Sequence, residues 1–275
     1  MTQVFQPDSF VCVDALIGLS SIPDNSVDLV VTSPPYADIR NSYDGVKASN
    51  YVEWFLPFAQ QILRVLKSTG SFILNIDDKC EDGERIPYSF ELVLELRKFG
   101  FKFIDTVIWT KKNGAPKGNR RRSNYFENIF HFAKSIDYKW LPDDIRTPYS
   151  PASIRRAKKP IKQNVSNREG RVTTTYKTWN LHPKGAWPTN VITFPKDNGK
   201  TPHVAPFHPD LPKHFILAHT EPGDLVLDPF AGRGTTLVVA HSLGRSYIGF
   251  DLKPEYVRLG EELYGLNGVL SNVSP

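Results

Sequence analysis

Two short segments carry the residues best suited to chemistry. In the first, Ser33-Pro34-Pro35-Tyr36 follows directly on Asp28-Leu29-Val30-Val31-Thr32, a run that reads as a short buried strand. Adjacent prolines lack amide donors and fix φ, so they stop the strand and leave a stiff elbow at its carboxyl end. Open α/β sheets bind ligands at that end, although such an elbow also serves as an ordinary turn. In the second segment, Asp228-Pro229-Phe230-Ala231-Gly232-Arg233-Gly234-Thr235-Thr236 follows a strand at Leu225–Leu227 and opens a helix. Gly232 and Gly234 let the backbone turn tightly and approach a ligand without a Cβ clash.

That second loop is neither the dinucleotide fingerprint nor a phosphate loop, since the Gly-Lys-Ser/Thr ending is absent. The next strand, Tyr247–Phe250, ends at Asp251, 23 residues after Asp228, a spacing that suits a ribose diol. A ribose without a phosphate, beside an acid at a glycine loop, points toward S-adenosylmethionine. Asp228 is placed to accept from that ligand's ammonium group or from loop amides.

The elements around these segments alternate. Strands are expected at Phe10–Val13, Asp28–Thr32, Ser71–Ile76, Phe101–Trp109 and Glu127–Ala133. Helices are expected to Leu19, from Tyr51 to Lys67 with Gly70 as a left-handed cap, and from Pro87 to Lys98 closed by Gly100. This alternation predicts a mainly parallel α/β sheet covered on both faces. From about 137 to 205 the chain turns rich in Pro, Thr, Asn, Lys and Arg with little periodicity, an inserted irregular region anchored by Trp140, Trp179 and Trp187. Regular structure resumes with a helix at Leu211–Ala218. The expected division is 1–136, 137–205 and 206–275.

Composition narrows the class. The 275 residues are 40% hydrophobic and 23% charged, ordinary for a globular chain. No apolar run approaches the ~18 residues of a membrane helix. The amino terminus lacks a signal-peptide pattern. Cys12 and Cys80 stand far apart without a CxxC pair, and the histidines show no ligand spacing, so a reduced cytoplasmic compartment and no metal site are expected. The net charge of +5 is unevenly spread. Lys111, Lys112, Lys117, Arg120, Arg121 and Arg122 form one acid-free run. Arg155, Arg156, Lys158 and Lys159 begin a second, which reaches Lys184 with Glu169 as its single acid. Such runs often only solvate a surface, but interleaved Tyr176, Trp179 and Trp187 favour a nucleic-acid face.

Together, "TSPPY", "DPFAGRGTT" and "GFDLKPEY" resemble the amino-group DNA methyltransferases of bacterial restriction–modification type. The order, catalytic motif first and cofactor loop last, resembles their β class. The resemblance runs from Cys12 to Tyr256 and lapses over 137–205. It implies a Rossmann-like S-adenosylmethionine-dependent fold in permuted order, with a target-recognition insertion. It also implies double-stranded DNA as partner, and the association with a cognate restriction endonuclease. Relatives often pair as homodimers, a state the residues themselves leave open. Asp14, Thr32, Asp228, Pro229, Phe230, Ala231, Gly232, Gly234, Thr235, Thr236, Asp251 and Leu252 would then surround the cofactor, with Phe207 and His208 closing its methionine side. Arg233 departs from the small residue usual in the family.

An exocyclic ring amine is a poor nucleophile, because its lone pair is delocalised. Its hydrogens must be held by acceptors while the nitrogen turns toward the methyl group. Pro34 offers a fixed carbonyl, Ser33 a second acceptor, and Tyr36 a flat face for an extruded base; Pro35 completes the elbow. Serine at 33 resembles the cytosine-N4 group, whereas an acid there is typical of adenine-N6 enzymes. The cytosine reading is preferred, adenine N6 is the alternative, and a silent nucleic-acid-binding protein is the third. Neither cysteine follows a proline, which argues against attack at cytosine C5.

Overall fold

Short runs of β-branched and aromatic residues become the strands that carry the site. The computed structural model describes residues 6–37, 46–111, 122–166, 171–194, 208–266 and 268–270. In chain order the elements are β1 (Ser9–Cys12), α1 (Ala15–Ser20), β2 (Val27–Thr32), α2 (Tyr51–Val65), β3 (Leu66–Ile76), β4 (Lys79–Glu81), β5 (Glu84–Ile86), α3 (Tyr88–Phe99), β6 (Lys102–Thr110) and β7 (Phe126–Ala133). There follow α4 (Pro151–Ala157), β8 (Ile161–Ser166), β9 (Val172–Lys177), β10 (Val191–Thr193), α5 (Asp210–His219), β11 (Leu225–Asp228), α6 (Thr235–Ser242), β12 (Ser246–Asp251), α7 (Pro254–Tyr264) and β13 (Gly268–Leu270).

Among the described residues, nine strands form one sheet in the order β10-β6-β7-β3-β2-β11-β12-β1-β13. β7 is antiparallel to both neighbours and every other pairing is parallel. Parallel strands covered on both faces bury both sets of side chains, and β2 is buried along its whole length. One core holds Leu19, Phe55, Ile62, Leu92 and Leu96 from α1, α2 and α3. The other holds Leu211, Phe215, Leu237, Ala240 and Val257 from α5, α6 and α7. Each large side chain so buried contributes roughly 1.5–3 kcal/mol.

β2 feeds α2 toward β3, while β11 feeds α6 toward β12 on the opposite face. The strand order therefore reverses between β2 and β11, and such sheets take ligands beyond the carboxyl ends of the strands at this point. The pairing is clamped at the opposite end by buried Asp28. Lys67 Nζ donates to both its oxygens at 2.9 and 2.7 Å, and the Leu225 amide donates to Oδ2 at 3.0 Å.

The structure corrects the sequence reading at Gly70 and in the basic segment. Gly70 caps no helix: α2 ends at Val65, Leu66 is already extended, and Gly70 lies inside the eleven-residue strand β3. A Cβ on Gly70 would stand 3.1 Å from the Val27 carbonyl, beside the register shift between β2 and β3, so the glycine permits close strand approach. The basic segment is also more regular than expected, since it contains α4 and the antiparallel β8–β9 hairpin. Pro142–Thr189 forms a compact unit of its own, and β10 after it belongs to the main sheet. No helix among the described residues is long and apolar enough to cross a membrane.

Candidate active site

Four neighbouring parallel strands, β2, β11, β12 and β1, end in Thr32, Asp228, Asp251 and Cys12, with Asp14 two residues beyond the last. Parallel pairing in this order therefore gathers three carboxylates and the Ser33–Tyr36 elbow at one edge of the sheet.

Asp228 is buried, and its bonds join the two motifs. Oδ1 accepts from Thr32 Oγ1 at 2.6 Å and from the Phe230 amide at 3.1 Å, while Oδ2 accepts from Thr236 Oγ1 at 2.7 Å. Burial raises its pKa to about 6, against the pull of these bonds. Phe230 turns toward α2, with its ring 5.1 Å edge-on from Phe58 and 6.0 Å from Trp54. Gly234 takes the left-handed region at φ 86° and starts α6, where Thr235 and Thr236 are buried. Arg233 is buried too, at 5% exposure.

Asp251 Oδ2 accepts from the Gly232 amide and Oδ1 from the Lys253 amide, both at 2.9 Å. The carboxylate thus fixes the glycine turn from the end of β12. Asp14 caps α1 through Oδ1, which accepts from Leu16 N and Ile17 N; Oδ2 has no partner among the described residues. Leu252 is half exposed, and its carbonyl accepts from Cys12 Sγ at 3.7 Å. His208 lies in the turn before α5, with Nδ1 taken by the Asp210 amide. Phe207 lies outside the described residues.

The elbow is held from α2 and α3. Tyr51 donates to the Pro35 carbonyl at 2.8 Å, and the Ala37 amide donates to Tyr88 Oη at 3.3 Å. The Pro34 carbonyl has no partner among the described residues. Two polar side chains that the sequence reading did not single out, Asn75 and Glu127, converge on Ser33 and Tyr36, and Lys111 pairs with Glu127 behind them. Asn75 Nδ2, near the end of β3, lies 2.9 Å from Tyr36 Oη, 3.3 Å from Ser33 Oγ and 3.0 Å from Glu127 Oε2. Tyr36 Oη donates to Glu127 Oε2 at 3.0 Å, and Lys111 forms an ion pair with Glu127 Oε1. Burial, reinforced by the Glu127 charge, pushes the Tyr36 hydroxyl pKa well up, so it stays protonated. The one available signal was a carboxamide and a carboxylate inside otherwise apolar strands.

A model of N6/N4 DNA methylases matches residues 27–262. The chain belongs to this family. Among curated relatives, the type II methyltransferase M.BglII of Bacillus subtilis is 31% identical over 91% of this chain and 67% of its own length. M.PvuII of Proteus hauseri is 30% identical over 89% and 80%. The solved PvuII DNA methyltransferase, described as cytosine-N4-specific, superposes with a TM-score of 0.71 over 98% of this chain and 91% of its own, at 26% identity. A putative DNA modification methylase of Thermus thermophilus, complexed with S-adenosyl-L-methionine, shares the fold, with a TM-score of 0.66 at 22% identity over 97% and 99%.

In this DNA methylase the basic residues fall into separate settings. Arg155 and Arg156 occupy the last turn of α4 and, with Lys158 and Lys159, are exposed within the Pro142–Thr189 unit. Trp179, Trp187 and Tyr176 of the same unit are exposed, and the Arg146 guanidinium stacks 5.0 Å from the Trp187 ring. Arg122 is exposed on the approach to β7. Lys111, expected at the DNA surface, instead has its ammonium on Glu127, 5.2 Å from the Trp109 ring. Lys112, Arg120 and Arg121 lie outside the described residues.

Proposed function

We propose that this DNA methylase transfers a methyl group from S-adenosylmethionine to the exocyclic N4 amine of a cytosine extruded from duplex DNA. One observation carries the reading: Thr32 of the elbow strand bonds Asp228 of the glycine loop, so the two motifs meet at the carboxyl ends of the paired strands β2 and β11. The cofactor fits the residues present. Carboxylates rather than cations mark the strand ends, and the Gly232 amide is spent on Asp251 instead of facing a phosphate. Asp251 stands at the end of β12 to receive a ribose diol, and Asp14 Oδ2 has a lone pair for an adenine amino group. Bound there, S-adenosylmethionine supplies a methyl group on cationic sulfur, already activated for displacement.

The chain's own work is alignment, worth several kcal/mol when reacting atoms are held in place. The Pro34 carbonyl and Ser33 Oγ accept hydrogen bonds from the target amine and turn its nitrogen toward the methyl group; as the N–C bond forms the S–C bond would break, the sulfur leaving as a neutral thioether and one amine proton passing to solvent. Tyr36 stacks on the base. Arg155, Arg156, Lys158 and Lys159 contact phosphates from the inserted unit, with Arg122 beside the catalytic half. Serine at 33 supports cytosine: a neutral hydroxyl stands where adenine enzymes typically carry an acid. The test is transfer from labelled S-adenosylmethionine to duplex DNA, digestion to nucleosides and chromatography. N4-methylcytosine is expected; N6-methyladenine as sole product assigns the alternative base, and no labelled nucleoside overturns the activity.

A further inference from the structure

We propose that Glu127 is a positioning residue for methyl transfer, setting the direction of the hydrogen bonds at Ser33 through Tyr36 and Asn75. The inference rests on the reading that Ser33 accepts from the target amine. A hydroxyl serves as acceptor with least conflict when its own hydrogen is already committed elsewhere. Ser33 Oγ lies 3.5 Å from Tyr36 Oη, an available acceptor for that hydrogen. Tyr36 Oη turns a lone pair rather than its hydrogen toward Ser33 because that hydrogen goes to Glu127 Oε2, at 3.0 Å. The sequence of donors ends at a carboxylate, which has nothing to donate in return.

Asn75 follows the same rule. Its amide must turn Nδ2 toward Glu127 Oε2, which also aims it at Tyr36 and Ser33. Glu127 is 8% exposed and Asn75 3%, so water does not compete freely for these bonds. Lys111 neutralises the carboxylate from the end of β6, and the pairing of Trp109 with Glu127 brings the two residues together. A buried ion pair of this kind seldom adds stability over an apolar substitute. Its location, one residue behind the elbow's aromatic ring, gives it a use in orientation.

The neutral isostere reverses the pattern. Glu127→Gln brings an amide that can donate toward Tyr36 Oη, releasing the tyrosine hydrogen toward Ser33 and the serine hydrogen toward the incoming amine. Donor then faces donor at the reacting nitrogen.

The test measures kcat and both KM values of the full chain with S-adenosylmethionine and duplex DNA, for wild type, Glu127→Gln, Tyr36→Phe and the double variant. Expected are kcat losses of roughly 10- to 100-fold in each single variant with both KM values unchanged. The double variant should be no slower than the slower single one, because both changes break one sequence of bonds. Additive losses, losses confined to KM, or an unchanged kcat overturn the proposal. Tyr36→Phe removes one oxygen and leaves the ring, so it decides the matter even if Glu127→Gln fails to fold: a wild-type kcat sinks the idea. A wild type that methylates nothing refutes the underlying function, and the role of Glu127 with it. An active wild type with an equally active Glu127→Gln refutes the role of Glu127 alone.

Discussion

Thr32 Oγ1 donates to Asp228 Oδ1 at 2.6 Å, joining the last residue of β2 to the last residue of β11. The bond ties the strand that ends in the elbow to the strand that ends in the glycine loop. It also leaves a carboxylate buried with hydroxyl and amide partners and no cation bonded to it among the described residues, an arrangement with consequences for pH.

Asp228 has a folded pKa of about 6 against an ordinary value of 3.8. The folded chain therefore holds a proton more tightly than the unfolded one. The stability this confers is present below the unfolded value and lost as pH rises through 6. Asp228→Asn keeps acceptance from Thr32 and Phe230, and the Thr236 hydroxyl can rotate to accept. Relative to wild type, the variant should gain about 1.5 kcal/mol between pH 5 and pH 7.5. Urea unfolding at the two values measures it, and a pH-independent difference refutes it.

His219 behaves in the opposite sense. Its ring is buried, Nδ1–H donates to the Lys139 carbonyl at 2.9 Å, and burial lowers its pKa to about 4. His131, 4.5 Å away ring to ring, is lowered as well, by burial and then by His219. The stability from neutral His219 is present above its unfolded value near 6.5 and is lost as pH falls toward 4. His219→Asn preserves a donor to Lys139 without a titrating ring. It should remove about 2 kcal/mol of the stability lost between pH 7.5 and pH 5. Equal acid sensitivity in both proteins counts against this account.

Asp251→Ala should weaken S-adenosylmethionine binding by roughly 2–3 kcal/mol, the contribution of hydrogen bonds to a charged group. Part of that loss comes from freeing the Gly232 amide that Asp251 now holds. Calorimetric titration of a folded variant reads the change, and wild-type affinity would remove Asp251 from the cofactor site.

Arg155 and Arg156 lie exposed in the last turn of α4. Replacing both with Gln should weaken binding to every DNA sequence and reduce the salt slope by about 1.8, roughly 0.9 for each phosphate no longer neutralised. Fluorescence anisotropy across a salt series supplies the slope. An unaltered slope would mean these charges only solvate the unit.

Legibility in the sequence followed the range of the interactions. Ser33-Pro34-Pro35-Tyr36 and the Asp228–Thr236 loop announce themselves because backbone stiffness and glycine freedom are local properties. Gly70 shows the limit of that logic: the residue marks a special backbone position, but only its distance to the Val27 carbonyl distinguishes close strand approach from a helix cap. Pro254 and Gly265 bracket α7 with ordinary start and stop signals. Asn75, Lys111 and Glu127 were invisible as a set. Antiparallel pairing places Asn75 opposite Ile129 and Ile76 opposite Asn128, and no short-range pattern announces which side chains such a register brings to Tyr36.

The central position of β2 also bears on how the chain is made. One edge of β2 pairs with β3, which follows soon after it, and the other waits for β11. At ribosomal speeds of about 5–20 residues per second, the second partner emerges roughly 10–40 s after the first strand. Through that interval the nascent protein carries an open strand edge with Leu29, Val30 and Val31 at its centre, the kind of surface that recruits chaperones or other unfinished chains. Contacts so distant along the chain also slow folding. The Thr32–Asp228 bond forms only when Asp228 arrives, so a half-made chain has the Ser33–Tyr36 elbow without that tie to the glycine loop.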